Sequence, residues 1–127
     1  MKEFYTNIYQ LGNSICVRGI DDEGKAFRNK IPFEPYVFVD ADKHTGYVDI
    51  NGNHVKKVNF ESISEAKDYL KKYSDVFGMR IMGLTNWSYL YIFENYMDIE
   101  PDFEKVRVVY LDIEVQSDDG FPKPEEA

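Results

Sequence analysis

A single cysteine, Cys16, stands in a chain of 127 residues. It excludes an internal disulfide and suits a reducing compartment, so the cytoplasm is the expected location. No apolar run is long enough to span a bilayer. The opening residues, Met1-Lys2-Glu3-Phe4-Tyr5-Thr6-Asn7, lack the apolar stretch of a signal peptide. No membrane partner is expected. Basic residues are also scarce, with 15 Lys and Arg against 23 Asp and Glu and a net charge of −8. That balance argues against a free-standing electrostatic DNA binder. The deficit is uneven. Residues 1–100 hold 12 basic against 15 acidic side chains, and residues 101–127 hold 3 against 8. There is no internal repeat and no low-complexity segment.

What the chain does have is apolar material, 43% hydrophobic residues and 16% aromatic. This is far from a disordered composition. The length suffices for one domain with a core and is too short for two full-sized ones.

Short β-rich segments fill the first sixty residues. Phe4 to Gln10 alternates, and Gly12-Asn13 reads as a hairpin turn. Ser14 to Ile20 and Lys25 to Ile31 flank a second hairpin at Asp21-Asp22-Glu23-Gly24. Pro32 and Pro35 confine the next stretch to extended geometry before a strand from Tyr36 to Val39. Tyr47 to Ile50 and His54 to Val58 surround Asn51-Gly52, a strong hairpin signal. Then the period changes. Ser62 and Glu65 form a capping box that opens a helix to about Tyr73, with Ile63, Ala66, Leu70 and Tyr73 on one face. Arg80-Ile81-Met82 reads as a short strand, and Tyr89-Leu90-Tyr91-Ile92-Phe93 as another by its aromatic and β-branched content. The expected class is α+β: a β-rich domain containing a β-α-β unit like half of an RNA-recognition fold.

Val108-Val109-Tyr110-Leu111-Asp112-Ile113-Glu114-Val115 carries the main chemical signal. It reads as a buried strand interrupted by two acids at i and i+2. On a strand, Asp112 and Glu114 project from one side while Ile113 points into a core. Two acids on one face repel and resist desolvation, so they need a divalent metal, a basic partner or exposure at the strand end. The D-x-E tripeptide is common by chance, and its apolar context is what distinguishes it. Nothing in the sequence supplies a covering layer for that strand, which suggests a segment of a longer chain.

Three features occur in order: Met1-Lys2-Glu3-Phe4-Tyr5, then Phe33-Glu34-Pro35-Tyr36 with its strand, then Tyr110-Leu111-Asp112-Ile113-Glu114-Val115 leading to Asp119-Gly120-Phe121-Pro122. The series resembles the beginning of the family B replicative DNA polymerases, most closely those of T-even-like bacteriophages. The resemblance implies a polymerase N-terminal domain over residues 1–105. It also implies the first strand of an RNase H-like 3′→5′ proofreading exonuclease domain from residue 106. Asp112 and Glu114 would be catalytic and metal-binding residues for two Mg2+ or Mn2+ ions, in a site complete only in the full-length protein. The implied setting is viral DNA replication in the cytoplasm of the infected host cell, with template and primer DNA and replication accessory proteins as partners.

Other residues leave alternatives open. Pro35 and Tyr36 fit a base-sensing pocket, as similar residues do in archaeal relatives, or a turn that packs an aromatic on the sheet; packing is favoured. Tyr89, Tyr91 and Phe93 would share one strand face, near a basic cluster of Lys56, Lys57, Lys71, Lys72 and Arg80. That arrangement makes an RNA platform conceivable, though alternating aromatics are more often core. T-even-like polymerases are similar in this region and bind RNA in translational control. His44 and His54 lack zinc-ligand spacing, and Cys16 reads as buried filler. The alternative function is therefore a stand-alone RNA- or single-strand-binding adaptor without catalysis.

Overall fold

Alternation and turn chemistry build the first half of the computed structural model, which describes residues 2–114 with Gln116 and Gly120. Strands β1 (Phe4–Leu11), β2 (Ser14–Ile20) and β3 (Ala26–Pro32) form an antiparallel meander in the order β1-β2-β3. Both expected hairpins are present. Gly12 turns the first at a φ of 60°, and Asp21 Oδ1 accepts the N–H groups of Glu23 and Lys25 to close the second. A bulge between Tyr5 and Asn7 bends β1.

The second sheet has the order β5-β6-β4-β7, from β4 (Tyr36–Asp40), β5 (Tyr47–Val48), β6 (His54–Asn59) and β7 (Ile81–Met82). Strands β6 and β7 both run antiparallel to β4 and flank it. They are therefore parallel to each other, with helix α1 (Ile63–Tyr73) in the connection between them. Ser62 caps α1 by accepting the Glu65 N–H at 3.1 Å. The Glu65 carboxylate reaches back to the Glu61 N–H at 3.0 Å, one residue earlier than a standard capping box.

Helix α2 (Trp87–Tyr96) corrects the strand expected over 89–93. Asn86 accepts the Tyr89 N–H at 3.3 Å and starts a helical turn. Trp87, Leu90 and Tyr91 then fall at i, i+3 and i+4 and are all buried. Tertiary burial of that stripe outweighs the strand preference of the aromatic residues. The element that follows α1 in the second sheet is Ile81–Met82, and 89–93 contributes no strand.

One core unites both sheets and both helices. Ile15 and Val17 come from β2, Val37 from β4, Ile63 and Ala66 from α1, and Trp87, Leu90 and Tyr91 from α2. Cys16 is buried as a free thiol, in agreement with the filler reading.

Residues 106–114, expected to be a strand, carry none here. Val109, Tyr110 and Leu111 are almost fully exposed, with Ile113 77% exposed where a core position was expected. A strand requires a partner for its backbone groups and cover for its apolar face. No described residue provides either to this segment. Val115 and the expected turn and Pro-rich stretch that follow, apart from Gln116 and Gly120, lie outside the described residues.

Candidate functional site

Asp112 and Glu114 are both exposed on the extended segment after a short 3-10 turn at Phe103–Lys105. Without a ladder to impose the pleat, nothing fixes the two carboxylates on one side. Their oxygens are the hard donors that Mg2+ or Mn2+ prefers. Among the described residues, however, no group of three or more His, Cys, Asp and Glu side chains is arranged to hold a metal. Two carboxylates are part of a donor set for a two-metal centre and not the whole of it.

The open face of the second sheet is more organised. Register places Phe38 opposite Lys57 on one side and Met82 on the other. Tyr36, Phe38 and Tyr47 form a row, Tyr36 and Phe38 edge to face with ring centroids 5.7 Å apart and Phe38 and Tyr47 tilted at 5.3 Å. The Lys57 ammonium sits 4.1 Å from the Tyr36 ring centroid, a cation–π contact. Tyr36 also donates its hydroxyl to Glu94 on α2. Burial first, and then that carboxylate, push the Tyr36 phenol up to about 12. Pro35 is fully buried, its carbonyl accepting the Phe60 N–H at 3.0 Å, and Phe33 packs edge-on to Tyr91 at 5.7 Å. These contacts accord with the packing role for the Phe33–Tyr36 stretch.

The expected basic cluster is divided. Lys57 belongs to the open face. Lys56, opposite Val39, turns to the α1 side and lines a cleft of about 360 Å³ with Tyr69, Phe77 and Arg80. Lys71 and Lys72 lie exposed on α1, with Lys72 5.1 Å from the Tyr73 ring. Arg80 is not a free cation. Its Nη2 donates to Asp40 at 2.6 Å and to Asp49 at 2.8 Å. Those two hydrogen bonds raise the guanidinium pKa further. Tyr89, Tyr91 and Phe93 do not make a strand face, since all three are on α2 and Tyr91 is buried. The aromatic row that does exist, Tyr36, Phe38 and Tyr47, was readable only in part: Tyr36 and Phe38 alternate on one strand, but the pairing that brings up Tyr47 is long-range.

Sequence reasoning also missed a basic face on the first sheet, because its members are scattered singly along the chain. Arg18 lies directly opposite Arg28, and Cys16 opposite Lys30. Arg18 and Arg28 line a cleft of about 630 Å³ together with Lys105 and Arg107. His44 and His54 pack edge to face at 5.3 Å, with no cysteine or carboxylate group to make a metal site. No helix among the described residues is long and apolar enough to cross a membrane.

No protein-family model matches the chain. Two curated relatives do. A DNA-directed DNA polymerase of Escherichia phage RB69 is 34% identical over 130 aligned residues, covering all of this chain and 14% of the relative. A DNA-directed DNA polymerase of Enterobacteria phage T4 is 35% identical over 128 residues, again across the whole chain and 14% of the relative. The chain thus spans about 14% of the length of the curated relatives it matches. The likeness extends over the whole chain, which is thus similar to a small segment of the DNA-directed DNA polymerases of these two bacteriophages.

Proposed function

We propose that the chain serves as the N-terminal segment of a family B replicative DNA polymerase, acting in viral DNA replication in the host cytoplasm. Residues 1–105 form a scaffold, and residues from 106 begin the 3′→5′ exonuclease domain. The observation that carries the reading is similarity to two phage DNA polymerases over the full length of the chain. The exposed, unpaired apolar segment 106–114 is consistent with it, because such a segment gains stability only by pairing with further polypeptide. Within that assembly Asp112 and Glu114 contribute carboxylate oxygens to a Mg2+ or Mn2+ site whose remaining ligands come from elsewhere. Template and primer DNA are the partners of the whole protein, together with replication accessory proteins.

The test pairs two activities on one variant of the polymerase that carries this segment, with Asp112→Ala and Glu114→Ala combined. Excision of a 3′-terminal nucleotide from single-stranded DNA should fall at least about a hundredfold, as charge stabilisation at the scissile phosphate is lost. Primer extension should be unchanged, since it draws on carboxylates outside this segment. Folding should survive, since removing two like-charged acids from one site relieves repulsion rather than breaking a core contact. The 127-residue chain alone, incubated with Mg2+ or Mn2+, should trim nothing. Excision at the parental rate in the double variant would remove both residues from the metal site.

A second reading, an RNA-binding adaptor, has one observation in its favour: the aromatic row Tyr36, Phe38 and Tyr47 with Lys57 on an open sheet face. Sheet-borne aromatics with nearby cations are the chemistry that stacks unpaired bases. Glu94 on the Tyr36 hydroxyl and the neutralised Arg80 count against a strong interaction there.

A further inference from the structure

The second sheet brings together the chain's two histidines. His44 lies in the connection between β4 and β5, and His54 opens β6. Two hydrogen bonds lay that connection along β6. The His54 carbonyl accepts the Ala41 N–H at 3.0 Å, and the Val55 carbonyl accepts the Thr45 hydroxyl. His44 is thereby held between two anchored residues, beside the strand that carries His54. The imidazoles meet edge to face with centroids 5.3 Å apart, and both side chains are exposed. Among the described residues neither ring joins an ion pair, since those involve only Lys25 and Arg80. The neighbouring hydrogen bonds, made by Thr45 and Asp49, engage neither ring. Two imidazoles thus stand side by side with their nitrogens uncommitted.

We infer that His44 and His54 form a two-imidazole chelate for a divalent transition metal of the zinc, nickel and copper class. An ion held by two imidazole nitrogens at about 2.0–2.1 Å and a tetrahedral angle sets the ring centres about 5.2 Å apart. The observed spacing matches that figure, so rotation of two exposed rings about χ2 is enough to aim one nitrogen of each at a common ion. The backbone is fixed in advance by strand pairing and the two loop anchors, which keeps the ordering cost of binding small. Among the described residues no third His, Cys, Asp or Glu joins the pair, so water completes the coordination and the site is open. The same shortage sets the selectivity. Mg2+ and Ca2+ favour oxygen donors, whereas Zn2+, Ni2+ and Cu2+ accept imidazole. Lys43 adjoins His44, and Lys56 shares a strand face with His54, so coordination bonds and not a negative field hold the ion. A bound ion cross-links the connection to β6 and stabilises the second sheet by mass action. The chelate involves neither Asp112 nor Glu114 and rests on nothing in the polymerase assignment.

Calorimetric titration of the 127-residue chain with ZnCl2, NiCl2, CuSO4 and MgCl2 tests the inference. One transition-metal ion should bind per chain, Cu2+ most tightly, and MgCl2 should not compete. His44→Ala and His54→Ala should each weaken binding at least about tenfold. Both side chains are exposed, so the circular dichroism of either variant should match that of the parent. Saturating Ni2+ should raise the thermal midpoint of the parent and of neither variant. The electron paramagnetic resonance spectrum of the Cu2+ complex should show coupling to two nitrogens, reduced to one or none in each variant. Cys16→Ala should bind as the parent does, because that thiol is buried in the other sheet. A fourfold rise in salt should change the affinity by less than about twofold, since screening acts on charge and not on coordination. Undiminished binding in either histidine variant, Mg2+ competing on equal terms, or binding that depends on Cys16 would overturn the proposal and leave the exonuclease reading untouched.

Discussion

Gly19 occupies a position that no other residue can fill without rearrangement. A Cβ built there would lie 2.2 Å from the backbone carbonyl oxygen of Phe4 and 2.7 Å from the Phe27 ring. The ring can swing, but the carbonyl belongs to the paired strand β1 and cannot yield cheaply. Gly19→Ala should therefore destabilise the fold by about 1–3 kcal/mol through overpacking, as read by urea or thermal unfolding. An unchanged midpoint would show that β1 separates from β2 more easily than the packing indicates. Arg80 makes the complementary point. Its sequence neighbourhood marks it as part of a basic patch, yet Asp40 and Asp49, 40 and 31 residues away in the chain, consume its charge. Two residue-level features, a tight backbone approach and a neutralised cation, thus depend on partners remote in sequence.

At the scale of elements, the β5–β6 connection is organised by one carboxylate. Asp49 accepts the N–H groups of Asn51 and Asn53 at 2.9 and 2.8 Å, the Asn53 amide at 3.2 Å and Arg80 at 2.8 Å. The Asn53 N–H, more than the other donors, holds the Asp49 carboxyl down to about 2 from an ordinary 3.8, against an opposing desolvation. The unfolded chain therefore takes up this proton before the folded one does. The stabilisation is complete above about pH 3.8 and is lost as pH falls toward about 2. Asp49→Asn should be less stable at neutral pH, and its disadvantage should shrink across that window. Unfolding midpoints of both proteins from pH 2 to 6 check it; a constant gap would mean that Asp49 acts only through its shape. The helices show the limit of local signals. Ser62 announces α1, whose bounds were legible from cap and periodicity alone. For α2 the signals conflicted: Asn86 and the Trp87, Leu90, Tyr91 spacing indicate a helix, while the residue types indicate a strand.

For the whole molecule, the decisive feature is that two sheets and two helices share one core. Neither sheet is covered independently of the other's helices, so loss of any part exposes apolar surface in the rest. Trp87, the chain's one tryptophan, is buried in that core and reports on it. Its fluorescence and the far-UV circular dichroism should trace the same unfolding transition. Leu90→Ala should move both together, at a cost of about 2–5 kcal/mol. Separate midpoints would mean that the two sheets unfold as independent units.

The sequence by itself determined the hairpins at Gly12-Asn13 and Asn51-Gly52, the span of α1, the burial of Cys16 and the kinship with phage DNA polymerases. Each is written in local chemistry or in residue order: a left-handed glycine, a capping serine, a stripe at helical spacing, motifs in sequence. Tertiary structure decided the rest. Whether Tyr89 to Phe93 coil or extend depended on what their apolar stripe was buried against. Whether 106–114 pairs depended on a neighbouring strand, which the described residues do not provide. The sites followed the same rule. Arg18, Arg28, Lys30, Lys105 and Arg107 are dispersed along the chain and become one basic trough only when strand register and the return of the C-terminal segment bring them together. Charge acts through space, and its arrangement in space is settled by long-range pairing.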